Sequence, residues 1–281
     1  MLTGSSVVCL SVVNLVVGTF GQHHLRRFDT RLLEQYQSEM MTKGKKNATA
    51  NRHLATIKHM FTKAVEWNMV EEEALKRVRK VKMLEENNRR MRFLSTSECG
   101  ALIENCDKHL RPIVITALNT GMRKSEILNL KWDDVDLRHN LITLRNTKNG
   151  EPRRIAINAT LRETFSNIMR RLDVSYVFFD GATGKAYGNV KRSFNTACRR
   201  SGISDFHFHD LRHTFASLLV MAGVDLTTVK ELMGHKTMVM TLRYSHLAPK
   251  HMANAVKILD DVLSKNSTAQ KLHKKEGVTN V

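Results

Sequence analysis

The chain has 281 residues, room for about two domains at roughly 150 residues each. A 42% share of hydrophobic residues excludes a wholly disordered basic tail, and three prolines with 14 glycines exclude collagen-like and proline-rich architectures. The 45 Lys and Arg against 27 Asp and Glu leave a net charge of +18, a field that favours a polyanionic partner, nucleic acid before membrane.

Residues 7–20 are mostly apolar. That run is shorter than the roughly 20 residues a membrane span needs, and no Lys or Arg precedes it as in a secretory signal. It reads as a packed apolar helix or strand, or as upstream sequence joined by a misplaced start, ahead of a membrane anchor. Residues 24–82 read as helical. Phe28, Leu32, Leu33, Tyr36 and Met40 recur at helical spacing behind Asp29-Thr30, a candidate N-cap, and Lys43-Gly44-Lys45-Lys46 breaks the pattern. A second helix carries Ala50, Leu54, Ile57, Phe61 and Ala64 on one face and Arg52, Lys58 and Lys63 on the other. Leu75, Val78 and Val81 then alternate with Lys76, Arg77, Arg79, Lys80 and Lys82. Residues 24–92 hold 17 basic and 9 acidic side chains. Charge runs are commonly solvated faces, but one sign in excess on a small helical unit points to phosphate contact. Lys43, Lys45, Lys46, Arg52, Lys58, Lys76, Arg77 and Arg79 are the candidate DNA-binding residues.

Residues 85–92 are polar and aperiodic, a linker. Ser95-x-x-Glu98 is a capping-box pattern that opens the next helix. Pro112 opens another, which Gly121 ends, and residues 125–130 form a further short helix. Leu141–Leu144 and residues 153–157 read as strands around Asn149-Gly150, a hairpin signal, with 176–179 as a third strand. Helices follow around Val190, Phe194 and Ala197, ended by Gly202, and around Leu211, Phe215, Leu218 and Leu219, ended by Gly223. One more is capped by Asp225 and ended by Gly234, before a last short one at 237–244. The four cysteines, Cys9, Cys99, Cys106 and Cys198, form no CxxC pair, and their usage fits a reducing cytoplasm.

The chemistry-bearing groups are ambiguous one at a time. Arg123 could cap a helix end, Lys148 could serve solubility at a hairpin tip, His235 could sit against a helix C-terminus, and Tyr244 could be a core aromatic. His207, His209 and His213 could in principle hold a metal, but no carboxylate or thiolate is spaced to complete a zinc site and HExxH is absent. His209 and Arg212, three apart at a helix start, suit an anionic oxygen instead.

Five motifs occur in order: Thr-Gly-Met-Arg-x-x-Glu-Ile, Thr-Lys-Asn-Gly, His-Asp-Leu-Arg-His-Thr, Leu-Met-Gly-His and Arg-Tyr-Ser-His. Successive gaps from Arg123 through Lys148, His209, Arg212 and His235 to Tyr244 are 25, 61, 3, 23 and 9 residues. This series resembles the tyrosine recombinases, the phage-integrase family of site-specific DNA recombinases. It does so strongly over about 95–263 and more loosely over 24–92. The resemblance implies a mainly α fold with a small β-sheet. An all-α core-binding (SAM-like) domain at 24–88 would precede an α+β catalytic domain at 92–265. An atypical apolar segment at 1–23 and a polar tail at 266–281 would flank them.

It also implies roles. Arg123 and Arg212 clamp the scissile phosphate, Tyr244 attacks it, and His209 acts as base. Lys148 protonates the leaving 5′-oxygen, His235 bonds the phosphate, and Glu126 and His213 support. A 3′-phosphotyrosine conserves the bond energy, so no metal, ATP or other cofactor is expected. The implied partner is double-stranded DNA, met by a homotetramer on two core sites in the cytoplasm, with directionality or DNA-bending factors as further candidates and no membrane. Residues 1–23 are too short for an arm-type DNA-binding domain and the core-binding segment is a helix short, unless the apolar stretch substitutes for it. A helix face of Ala253, Val256, Leu259 and Leu263 packs, in the family, on a neighbouring protomer; packing on its own domain is the alternative. The rival functions are an Xer-type chromosome-dimer resolvase, a type IB topoisomerase, and a non-catalytic DNA-binding remnant of a mobile element.

Overall fold

The computed structural model describes residues 4–86, 91–145, 152–248, 256–261 and 263, with side chains from Val12 onward. The chain divides into two units, Met1–Asn88 and Arg89–Val281.

The first unit is helical: α1 (Gly4–Phe20), α2 (Thr30–Thr42), α3 (Asn47–Glu66) and α4 (Glu72–Lys80). Asp29 caps α2 by accepting from the Leu32 N–H at 2.8 Å, which satisfies one of the helix's free donors. Past the end of α2, Gly44 takes the left-handed turn at φ +71° that leads into α3. The apolar run of the sequence is α1, and it packs on α3. Its Val12, Val16 and Phe20 are buried with Phe28, Leu33, Leu54, Ile57, Phe61 and Val78. The aromatic rings chain together, Phe20 against Tyr36 at 4.9 Å, Phe20 against Phe28 at 5.2 Å and Phe28 against Phe61 at 5.0 Å between centroids. Each such side chain stabilises the unit by about 1.5–3 kcal/mol on burial. The first helix is therefore an integral wall of this unit. Among the described residues no helix is long and apolar enough to cross a membrane.

The second unit contains α5 (Thr96–Glu104), α6 (Arg111–Thr120) and α7 (Lys124–Leu128). Strands β1 (Val135–Asp136), β2 (Leu141–Leu144) and β3 (Arg153–Ala156) follow. Then come α8 (Ala159–Ser166), α9 (Lys191–Arg200), α10 (Asp210–Met221), α11 (Leu226–Met233) and α12 (Val239–Leu242). The sheet is antiparallel in the order β1-β2-β3, with Leu141 opposite Ala156 and Leu144 opposite Arg153. The capping box of α5 is formed, with Ser95 Oγ accepting from the Glu98 N–H and Glu98 accepting from the Ser95 N–H. The expected third strand at 176–179 is not one. Tyr176 and Phe179 each make a single bridge, to Lys131 and Ala186, while Val177 and Phe178 turn into the core; β1 takes the sheet edge instead. Helix α8 was not expected from the sequence; Asn158 caps it by accepting from the Leu161 N–H at 2.9 Å.

One core joins Leu110, Ile113, Val114 and Ala117 of α6 and its flank to Ile142, Ile155, Phe165, Phe194 and Leu211. A second, smaller core gathers Ala216, Val220, Val229 and Met233 around Tyr244. Helix α10 belongs to both through opposite faces, which places its first turns between α6 and α11. Asn149, Gly150, Ala253 and the tail at 266–281 lie outside the described residues. Val256, Leu259 and Leu263 are exposed at 68%, 57% and 60%, so no packing on this unit covers them among the described residues.

Candidate active site

Two helix ends build the site. Gly121 and Gly234 follow α6 and α11 in left-handed conformations, φ +58° and +60°, a turn that lets the last carbonyls point outward. An added Cβ would meet the Phe215 ring at Gly121 and the Arg153 guanidinium at Gly234, so both positions need glycine for space as well. Three consecutive carbonyls at the end of α11 then accept from three different arginines. Arg153 Nη1 donates to Leu232 at 3.1 Å, Arg212 Nη2 to Met233, and Arg123 Nη2 to Gly234 at 3.4 Å. Arg212 Nη1 also donates to the Gly121 carbonyl at the end of α6. The negative ends of two helix dipoles thus face the guanidinium groups.

Glu126 binds the same cluster from beneath. Its carboxylate accepts from the Arg123 N–H at 2.8 Å, Arg123 Nη1 at 2.7 Å and Arg153 Nη2 at 3.1 Å. Its side chain is only 6% exposed. Three arginines face one carboxylate, which leaves a surplus of positive charge. Burial and the neighbouring Arg123 and Arg153 pull Arg212 down to about 10, so it stays charged at neutral pH.

A cavity of about 320 Å³ opens over this cluster. Arg123, Arg212, Arg243, His209, His213, His235 and Tyr244 line it with Met233, Val239 and Met240, and among the described residues no carboxylate does. Burial, reinforced by the arginines, keeps the histidines neutral. His213 is pushed down to about 4 and His235 to about 3, and His209 is lowered for the same first reason. His235 Nδ1 lies 2.9 Å from Thr241 Oγ1. Tyr244 is fully buried, and its phenol rises to about 12 because burial outweighs Arg243 and Arg212. Its hydroxyl lies 2.6 Å from His213 Nδ1. His209 faces His213 edge-on, with 5.3 Å between ring centroids.

The structure therefore brings Arg123, Glu126, His209, Arg212, His213, His235 and Tyr244 together. Lys148 lies outside the described residues. Two features differ from the sequence reading. The tyrosine hydroxyl rests on His213, read as a support, and not on His209, read as the base. Arg153 went unread, although alternation along β3 signals it: it shares the inward face with buried Ile155. Among the described residues no three His, Cys, Asp or Glu side chains converge as metal ligands.

The basic candidates of the first unit separate into two sets. Lys43, Lys45, Lys46, Arg52, Lys76 and Arg79 are exposed, with Lys43 3.8 Å from Glu39 and Lys76 3.5 Å from Glu73. Lys58 and Arg77 are engaged in packing. Lys58 Nζ donates to the Val81 carbonyl at 2.6 Å and to Arg79 at 3.3 Å, and Arg77 Nη2 donates to the Arg26 carbonyl at 3.2 Å.

Residues 92–251 match the phage integrase family. The chain is 33% identical over 251 residues to the integrase of Salmonella phage P22, covering 83% of this chain and 63% of that one. It is 32% identical over 204 residues to a shufflon-specific DNA recombinase of Escherichia coli, covering 71% and 51%. The lambda integrase tetramer bound to a Holliday junction superposes with a TM-score of 0.72 at 20% identity, covering 87% of this chain and 72% of that one. The chain belongs to the phage integrase family, with the mostly helical fold and small sheet of a tyrosine recombinase. It spans roughly half to two thirds of the length of the two sequence relatives.

Proposed function

We propose that this chain is a site-specific DNA recombinase that cuts and rejoins strands through a 3′-phosphotyrosine, with no metal or ATP in the reaction. The observation that carries this reading is the cavity itself: Arg123 and Arg212 enter it, Tyr244 borders it, and among the described residues no carboxylate does. A phosphodiester brings one negative charge, and its attack by an oxygen gathers more. Two guanidiniums already held by helix-end carbonyls and Glu126 supply the compensating charge without reorganising. Tyr244 gives its proton to a base, His209 by the resemblance, and its Oη forms the bond to phosphorus as the bond to the 5′-oxygen breaks, while Lys148 gives that oxygen its proton. His235 donates to a non-bridging oxygen. The reverse step, attack by an incoming 5′-hydroxyl, restores the tyrosine and joins new strands.

Duplex DNA is the partner. The exposed cations of the first unit meet its phosphates, that unit acting as core-binding domain and the second as catalytic domain. A homotetramer on two sites is the working assembly, in keeping with the lambda integrase tetramer on a Holliday junction. The cytoplasm, where the DNA is and where Cys99, Cys106 and Cys198 stay free, is the compartment. Accessory directionality or bending factors complete the system.

The test uses nicked suicide duplexes, with the covalent adduct read as an SDS-resistant complex. The wild-type chain should form it in EDTA, and Tyr244→Phe, which keeps the ring, should form none. Lys148→Ala should be slower by about 10²–10⁴-fold, the scale of lost general-acid catalysis. A 5′-bridging phosphorothiolate, whose thiolate leaves without a proton, should restore Lys148→Ala and leave Tyr244→Phe inert. An adduct on Tyr244→Phe, or cleavage that EDTA abolishes and magnesium restores, sinks the reading.

A further inference from the structure

We infer that His213 is the catalytic base that takes the phenolic proton of Tyr244. The inference rests on the recombinase reading above and reassigns one proton within it. Three histidines line the cavity, and their positions divide the work. His235 Nδ1 is engaged with the Thr241 hydroxyl. His209, at the start of α10, faces the ring of His213 edge-on and makes no hydrogen bond to the tyrosine. His213 sits one helical turn further on and places Nδ1 2.6 Å from Tyr244 Oη, within the 2.6–3.2 Å that proton abstraction needs.

The helix sets this arrangement. Arg212 and His213 are adjacent on α10 and so point roughly 100° apart. Arg212 reaches the carbonyls of Gly121 and Met233, while His213 turns to the tyrosine. The charged and titratable groups around His213 are His209, Asp210 and Arg212 on its own helix and Arg243 beside the tyrosine. Burial, then His209, Arg243 and Arg212, outweigh the opposing Asp210 and keep its imidazole neutral, so Nδ1 has a free lone pair when Nε2 carries the hydrogen.

The step balances. The Tyr244 O–H bond breaks, its proton passes to His213 Nδ1, and the imidazole becomes imidazolium. The oxygen lone pair forms the bond to phosphorus while the P–O5′ bond breaks, and Lys148 protonates the departing oxygen. The phosphate in the clamp supplies negative charge beside the new imidazolium. On religation the proton returns to the phenolate.

A 2.6 Å contact to a buried tyrosine could instead be a latch that holds the nucleophile away from DNA, and the experiment separates the two. The probe is a pool of nicked duplexes selected from randomised sequence by binding to the wild-type chain, with SDS-resistant adduct as the readout. His213→Asn and His213→Gln are compared with wild type, each with tyrosine or with ring-fluorinated tyrosine at position 244. Fluorination acidifies the phenol and lessens the need for a base.

The expected result is adduct formation about 10²–10⁴-fold slower in both variants. Fluorotyrosine should recover most of that loss, while the 5′-bridging phosphorothiolate recovers none of it. An unchanged or faster rate in the variants makes His213 a latch and overturns the inference. An equal deficit with both nucleophiles makes it a structural support and also overturns it. A wild-type chain that forms no adduct overturns the recombinase reading, and the inference with it.

Discussion

The two units use half-buried and buried cations in opposite ways. In the first, half-buried Lys58 and Arg77 each donate to main-chain carbonyls, and among the described residues neither forms an ion pair. They tie chain ends to helices, as Asn51 does when it accepts from the Leu84 N–H and donates to the Leu84 carbonyl and Glu86. In the second, Arg123 and Arg153 share Glu126, and Arg212 adds a third guanidinium held by carbonyls alone. A solitary cation on a carbonyl is a structural fastening. Several cations over one carboxylate form a site that an anion completes, and the difference lies in the charge left over.

The largest expected break in that contrast is Glu126→Ala. It strands two guanidiniums with their carboxylate removed, and a broken buried pair costs about 3–5 kcal/mol. Denaturant unfolding should show the loss in the second unit, with the first unit's transition unmoved. A loss below about 1 kcal/mol would mean the helix-end carbonyls alone hold the arginines.

Acid should sharpen the comparison next. His213 and His235 have folded values of about 4 and about 3, below the ordinary 6.5, and His209 is also lowered. As pH falls below 6.5 the unfolded chain takes up protons first. The stabilisation is therefore complete above 6.5 and lost progressively down to about 3. In the first unit burial lowers His53. Thermal melts at pH 7.5 and 5 should move the second unit's transition down further than the first's; equal shifts would refute the difference.

The smallest effect belongs to Lys58→Met. It keeps the stem and loses the ammonium's bonds to two carbonyls, about 1 kcal/mol for a partly solvated group. It should also leave salt-dependent DNA binding nearly unchanged, whereas Arg52→Ala should reduce the salt slope by about one phosphate contact. A matching fall in slope for Lys58→Met would place its ammonium on DNA after all.

Much of this was legible in the residues. Local signals worked where the governing contact lies within four residues, in the Asp29 and Ser95 caps and the left-handed glycines 121 and 234, and the strand patterns at 141–144 and 153–157 match the paired β2 and β3. They failed where the deciding contact is distant. Residues 176–179 have a strand's composition, but the space beside Leu130 and Lys131 admits only single bridges. The first helix is apolar on most positions, so only its packing against α3 reveals which face is inward. The partner of His213 is 31 residues away, and that of Arg153 on α11 is 79 away. No periodicity encodes such pairings.

The three carbonyls of Leu232, Met233 and Gly234 have a consequence for how this family member can change over generations. Each addresses a different arginine: the helical carbonyls of Leu232 and Met233 differ by about 1.5 Å in height and about 100° in direction, and left-handed Gly234 turns the third. A substitution in α11 alters one side chain and leaves that pattern intact. An insertion or deletion of a single residue before Gly234 would rotate all three carbonyls at once and misaddress every guanidinium. The exposed positions of α11 can thus drift in composition, while buried Val229 and Met233 and left-handed Gly234 hold theirs, and the end of the helix is closed to changes in length.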